Sequence, residues 1–245
     1  MTIRRFYARP ENIGQLVILL DESETRHLRD VLRLSAGDRV HAFDGLGVEY
    51  ACRVERIAKR FAELHVESEV PPTAPESTLE LCIAAAITPG EKFDLVVQKA
   101  VELGVRRLTP ITTVRCEVRA KDALRRVERW RKIAFEASKQ CGRAFLMEVG
   151  NIGEFKEVFE TGDGDDPSAS LFLFSERDGQ ELKADQNARA ITAIYGPKGG
   201  WDDAELSYAR EAGAKTITLG GRILRAETAA IAITAILQHR FGDLR

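Results

Sequence analysis

Three prolines within five residues, Pro71, Pro72 and Pro75, divide the chain into two parts that must fold by different rules. Proline fixes φ and donates no backbone hydrogen bond, so the stretch reads as an extended connector. Before it the apolar runs are short: Leu16 to Leu20, Val40 to Phe43, Val48 to Val54 and Phe61 to Val66. Gly37-Asp38 and Asp44-Gly45 supply turns between them, and one helix is expected over Ser23 to Leu34. Residues 1–72 are therefore predicted to form a small, mostly β barrel. After the prolines, Leu79 to Ala86 is an apolar run broken only by Glu80, of the kind found in a parallel strand covered on both faces. Thr88-Pro89-Gly90-Glu91 then predicts a helix start, with Thr88 as N-cap, Pro89 in the first helical position and Glu91 closing a capping box. That helix runs to Gly104, a suitable residue to end it. Strands at Ser170 to Phe174, Ala190 to Tyr195 and Lys215 to Leu219 alternate with helices over Asp122 to Cys141, Asp202 to Ala212 and Ala226 to Arg240. Thr161 to Ser168 reads as an acidic, solvated loop. Residues 73–245 are thus predicted to form an α/β domain built on a parallel sheet.

Composition narrows the setting. A net charge of −2 argues against a protein that coats nucleic acid indiscriminately and leaves room for a local basic patch. The four cysteines, Cys52, Cys82, Cys116 and Cys141, form no C-x-x-C pair and read as thiols in a reducing compartment, with no metal site. With no leader-like segment and no apolar run near the ~18 residues that span a bilayer, the expected location is the cytoplasm and no membrane partner is expected.

Two glycine-rich stretches in the last third carry the chemistry. Ile194-Tyr-Gly-Pro-Lys-Gly-Gly-Trp201 and Leu219-Gly-Gly-Arg-Ile-Leu-Arg225 both leave a strand and turn into a helix. Such loops hold small molecules by backbone atoms at the carboxyl edge of a sheet. Neither ends in Gly-Lys-Ser/Thr, and no G-x-G-x-x-G follows a strand, so a triphosphate cradle is unsupported.

With these loops the chain resembles the RsmE-type ribosomal RNA uridine-N3 methyltransferases of the SPOUT class. The likeness continues in Arg4-Arg-Phe-Tyr7, His27-Leu-Arg-Asp-Val-Leu-Arg-Leu34, Phe43-Asp-Gly45, Gln98-Lys-Ala-Val-Glu-Leu-Gly104 and Glu136-Ala-Ser-Lys-Gln-Cys-Gly-Arg143, in the family's order. It implies a PUA-like RNA-binding barrel, then a trefoil-knotted SPOUT domain that forms a homodimer. The implied cofactor is S-adenosylmethionine, and the implied target is N3 of uridine 1498 in 16S ribosomal RNA of the small ribosomal subunit. The cofactor would lie among Ile194, Gly196, Pro197, Gly199 and Gly200 of the first loop, and Leu219, Gly220, Arg222, Ile223, Leu224 and Thr228 of the second. Phe174 and Ser175 would complete the wall. In the family the first loop usually reads Gly-Pro-Glu-Gly-Gly; here Lys198 replaces the glutamate, which suits an outward-pointing contact to RNA phosphate or else weakens cofactor binding. Gly221 stands where proline is common.

Uridine N3 carries a proton and attacks poorly until it is lost, so the site needs a proton acceptor and a donor that stabilises the resulting anion. Arg225 is the candidate stabiliser and Glu227 a candidate acceptor, directly or through water. For RNA phosphate the candidates are Arg4, Arg5, Arg26, Arg29 and Arg33 in the first domain, and Lys92, Arg115, Arg143 and Lys198 in the second. Arg26, Arg29 and Arg33 are expected on one face of a helix whose Leu28, Val31 and Leu32 face the barrel. On the helix from Asp122, the residues Leu124, Val127, Trp130, Ala134, Ala137 and Cys141 form an apolar stripe. Ala229 to Leu237 is apolar all round, which calls for a partner subunit. The rival reading is an RNA-binding or ribosome-assembly protein that has lost cofactor affinity through Lys198.

Overall fold

The computed structural model describes residues 3–116, 123–160, 170–177, 179–182 and 188–245. The expected helix start at Asp122, the side chain of Leu124 and the acidic loop Thr161 to Ser168 lie outside the described residues. The chain forms two compact units, Met1–Glu76 with Ser138–Leu146, and Ser77–Ala137 with Met147–Arg245.

The first unit is a five-stranded sheet in the order β1-β3-β4-β5-β2, from β1 (Arg5–Tyr7), β2 (Val17–Leu20), β3 (Arg39–Phe43), β4 (Glu49–Ile57) and β5 (Ala62–Val70). Its core gathers the inward alternate residues, among them Phe6, Ile18, Leu20, Val40, Val54 and Leu64. Helix α1 (Glu22–Arg26) is capped by Asp21, whose carboxylate accepts from Glu24 N. It does not continue to Leu34 as expected. Over His27–Val31 the chain widens into a π turn in which Leu32 N donates to His27 O at 3.0 Å. Arg33 then takes a left-handed φ of 54°. Widening re-aims the side chains: Leu28 is buried, but Val31 is 64% exposed and does not face the barrel.

Ser138–Leu146 belongs to this unit through long-range polar contacts. Arg5 donates to Lys139 O at 3.4 Å and Arg143 O at 3.1 Å, and Lys139 pairs with Glu24 at 2.6 Å. Arg143 is bound to Glu76 at 2.6 Å. At the centre Glu49, fully buried, accepts from Arg5 at 2.9 and 3.1 Å and from Thr73 N and Oγ1 at 3.0 and 2.9 Å. His41 Nδ1 lies 2.7 Å from the same carboxylate.

In the second unit the described residues form a seven-stranded sheet with every pairing parallel. Its order is β12-β10-β11-β6-β7-β8, with β9 also pairing with β7. The strands are β6 (Glu80–Ala86), β7 (Arg107–Thr112), β8 (Glu148–Val149), β9 (Gly153–Glu154), β10 (Ser170–Phe174), β11 (Ala190–Tyr195) and β12 (Lys215–Ile217). The helices are α2 (Lys92–Glu102), α3 (Ala123–Cys141), α4 (Glu157–Glu160), α5 (Asp203–Glu211) and α6 (Ala226–Phe241). The expected α/β architecture is borne out. On α3 the stripe Val127, Trp130, Ala134 and Ala137 is buried, with Trp130 Nε1 donating to Asp94 at 3.0 Å. Strand β7 went unanticipated because it contains Pro110, which lacks a ladder N–H. The register explains the tolerance: β8 pairs with Arg107 and Leu108 and β9 with Ile111 and Thr112, leaving Pro110 opposite the gap.

Burial alone would raise the Glu49 carboxyl, but the Arg5 guanidinium, the Thr73 N–H and His41 hold it down at about 2, against 4.5 ordinarily. A depressed folded-state pKa stabilises above the unfolded value and is lost as pH falls through the folded one. Urea denaturation should therefore show first-unit stability falling between pH 4.5 and 2, by roughly 3 kcal/mol for this group. Glu49→Gln strands the Arg5 charge; it should cost ~3–5 kcal/mol at pH 7 and flatten that acid limb. Equal acid limbs in the two proteins would show that Glu49 is not the titrating group.

Candidate active site

The carboxyl ends of β6, β10, β11 and β12 open into one cleft of about 890 Å³ in the second unit. Ligands bind at this edge of parallel sheets, and the volume lies near the top of the ~300–1,000 Å³ range for small-molecule sites.

One wall is the loop after β11. It closes with a turn in which Gly200 N donates to Pro197 O at 3.0 Å. Its anchor is Trp201, 1% exposed, whose Nε1 donates to Phe174 O at 2.8 Å. A Cβ at Gly196 would stand 2.9 Å from the Trp201 ring, so a bare backbone is what admits the indole. Gly200 has a φ of 73° and faces Glu176, whose carboxylate would lie 2.8 Å from an added Cβ. Behind the loop, Asp202 and Glu205 form a capping box on α5, and Glu205 also accepts from Val114 N at 2.9 Å. Arg115 donates to Gly199 O at 3.3 Å and to Asp202 at 3.4 Å. Gly199 therefore packs on Arg115, whose Cβ would lie 3.2 Å from an added Cβ.

The second wall is the loop after β12. Gly220 and Gly221 have φ of 70° and 83°, with open space where a Cβ would be. Proline at residue 221 would require φ near −65°, so this backbone demands the glycine found here. Ile223 is 84% exposed and Leu219 and Leu224 are 41% exposed. Arg225 takes the N-cap position of α6 without a side-chain cap bond. Tyr195 ties the helix down: its buried hydroxyl lies 2.9 Å from Thr234 Oγ1, and burial raises its pKa.

The third wall is the segment between β6 and α2. Helix α2 starts at Lys92 with Glu91 as N-cap and no side-chain cap bond, so the capping box expected from Thr88 does not form. Gly90, at φ 69°, turns the chain away first. Thr88 lines the cleft, and its hydroxyl is buried with no hydrogen-bond partner among the described residues. Lys92 reaches Glu227 at 3.2 Å. Burial pushes the Glu227 carboxyl up, but the residue's own backbone N–H, Lys92 and Arg225 outweigh this and hold it below the usual range.

The expected cofactor residues line this cleft with two exceptions. Ile194 is fully buried in the core of the unit, and Thr228 is exposed on α6 outside the cleft. Arg225, Glu227, Lys92 and Lys198 also line it. Arg5 and Arg143 are corrected: their side chains are 7% and 5% exposed and bound to Glu49 and Glu76, so they hold the first unit together. Arg29 is tied to Asp30 at 2.7 Å and to Lys59 O at 3.2 Å. Arg4, Arg26 and Arg33 are exposed. Thr88, Glu176, Tyr195 and Trp201 were missed. Tyr195 and Trp201, which bracket the glycine stretch, had a local signal.

Glycine backbone and apolar side chains suit a flat ring, the polar and charged side chains between them suit the polar edge of a nucleoside, and among the described residues no cluster of His, Cys, Asp or Glu could hold a metal. Residues 75–238 match the family model of an RNA methyltransferase domain, and residues 20–67 that of an RNA methyltransferase PUA domain. The chain is 32% identical over 228 residues to ribosomal RNA small subunit methyltransferase E of Synechocystis, covering 92% of this chain and 74% of that one. To the Bacillus subtilis protein of the same name it is 28% identical, covering 91% and 90%. The crystal structure of ribosomal RNA small subunit methyltransferase E from Neisseria gonorrhoeae, bound to S-adenosyl methionine, is 34% identical, covers both chains fully and has a TM-score of 0.89. A Legionella pneumophila methyltransferase in complex with the same cofactor covers both chains fully at 28% identity, with a TM-score of 0.85. With a PUA-like β domain and a SPOUT trefoil-knot α/β domain, this chain belongs to the ribosomal RNA small subunit methyltransferase E family.

Proposed function

We propose that this protein methylates N3 of a uridine in small-subunit ribosomal RNA with S-adenosylmethionine, acting in the cytoplasm as a homodimer. The observation that carries this reading is the cleft itself, where two glycine loops face Arg225 and the Lys92–Glu227 pair. When bound, S-adenosylmethionine supplies an electrophilic methyl carbon, which the N3 lone pair attacks as the carbon–sulfur pair returns to sulfur. The residues of the chain align the base, handle its proton and stabilise its charge. Glu227 accepts the N3 proton through water, and Arg225 offers a cation to the developing anion. Lys198 is exposed at the rim, while Glu176 and Glu227 line the same cleft and offset its repulsion of a sulfonium. Arg4, Arg26 and Arg33 are the exposed first-unit cations for RNA phosphate, with Lys198 and the solvent-facing parts of Lys92 and Arg115 in the second unit.

The dimer reading rests on α6 and the loop before it. Ile231, Ala232, Ala235 and Ile236 remain partly exposed, and Ile223 almost wholly so. Ile233 points inward, 4% exposed, and is no test of an interface. No helix among the described residues is long and apolar enough to cross a membrane.

Gly220→Val forces a branched side chain onto a left-handed backbone whose free side opens to the cleft. Calorimetric titration should show S-adenosylmethionine affinity reduced at least tenfold, about 1.4 kcal/mol, in a folded protein. Native affinity would remove this loop from the cofactor site, and a wild type that binds no cofactor would favour the assembly-protein reading. Ile236→Asp would bury a carboxylate in the interface and should shift sedimentation toward monomer, with methyl transfer falling alongside dimer content. A wild type that sediments as a monomer at micromolar concentration would refute the dimer.

A further inference from the structure

The third wall of the cleft has a chemical character that the glycine loops lack. Thr88 is 4% exposed, lines the cleft and has an unpartnered hydroxyl among the described residues. A buried hydroxyl without a partner is destabilising, and native proteins keep few such groups unless something pairs with them in use. Four residues on, Lys92 lines the same cleft with one contact to Glu227. An ammonium has three donors, so further donors remain for a ligand. These groups rise from the end of β6, next to β11 in the sheet and on the side away from β12.

The uracil edge presents a carbonyl oxygen, the N3–H and a second carbonyl oxygen. When the N3 proton leaves, the negative charge moves onto those two oxygens. Glu227 is ionised and tied to Lys92, so it is a weak base facing a weak acid. Strengthening the acid closes that mismatch, and donors on the carbonyl oxygens do so.

We propose that Thr88 and Lys92 form the base-recognition wall of this site, the Thr88 hydroxyl donating to one uracil carbonyl oxygen and the Lys92 ammonium to the other. This rests on the uridine-N3 reading above. The proton passes through water to Glu227, the electron pair stays on the base, and the anion is held by the two donors with Arg225 nearby. Cytosine carries an amino group in place of one of these oxygens; the Lys92 ammonium, which has no acceptor, favours uracil where it faces that position, whereas the Thr88 hydroxyl can also accept and does not discriminate.

The test uses the full-length protein, S-adenosylmethionine and 16S ribosomal RNA or small subunits carrying the target uridine. Thr88→Val keeps the shape and removes the hydroxyl. Its single-turnover rate should fall at least tenfold, and the rise of rate with pH should move up by about one unit, while calorimetric affinity for S-adenosylmethionine stays within twofold. Thr88→Ser should restore both rate and profile. RNA with 5-fluorouridine at the target, whose N3–H is more acidic, should recover most of the loss in Thr88→Val. Lys92→Met should shift the profile in the same direction. If Thr88→Val does not fold, Thr88→Ala carries the same comparisons. A native rate and pH profile in the folded variant would overturn the inference, as would a loss confined to cofactor affinity or one that 5-fluorouridine does not relieve. A wild type that binds S-adenosylmethionine but leaves uridine N3 unmethylated would instead overturn the function on which it rests.

Discussion

The indole of Trp201 donating to the carbonyl of Phe174 is the contact on which the cleft depends. It joins the end of the loop after β11 to the end of β10. Gly196 must be bare for the ring to fit, and Phe155 packs on the ring with centroids 5.1 Å apart. With that end fixed, Pro197 and Gly200 close the turn and Asp202 starts α5 in register. The loop is thus positioned by packing and capping before any ligand arrives, which lowers the ordering cost of binding.

Charge is handled differently in the two units. In the first, ions are paired with at least one partner buried: Glu49 with Arg5, Glu24 with Lys139, Arg143 with Glu76. Removing one partner of a buried pair leaves an uncompensated charge, so such networks specify the fold more than they stabilise it relative to an apolar core. In the second unit the pairs beside the cleft are part-exposed: Lys92 with Glu227, and Arg115 with Asp202. Partial exposure leaves those cations with donors and solvent access to exchange for a ligand.

What the sequence disclosed follows from how local each signal is. Strands β6, β10 and β11 are predominantly apolar runs and were legible with near-correct bounds. The glycine loops were legible because glycine, unlike other residues, takes positive φ without strain. Strand β7 hid behind Pro110, tolerated only because two short strands leave a gap beside it. The expected capping box at Thr88 failed because Gly90 turns the chain, and no local rule weighs one against the other. Arg5 and Arg143 looked like phosphate ligands since their partners Glu49 and Glu76 lie 44 and 67 residues away. The knot has no periodicity to betray it, and only the family likeness carried it.

Both departures from the family pattern fall in the two glycine loops, and the backbone accounts for one of them. At Gly221 a φ of 83° follows a φ of 70° at Gly220, a pair of left-handed residues that proline could not join. The two glycines cost more backbone entropy on ordering than a glycine–proline pair would, and Ile223, which is 84% exposed, buries little within the chain. This loop therefore has few intrachain contacts to hold it, in contrast to the Trp201 loop. On the proposed reading, the cofactor would cover it on one side and apolar surface of a second subunit on the other. In such an arrangement each contributes to ordering the same residues, so cofactor binding and subunit association strengthen one another through a shared conformational cost.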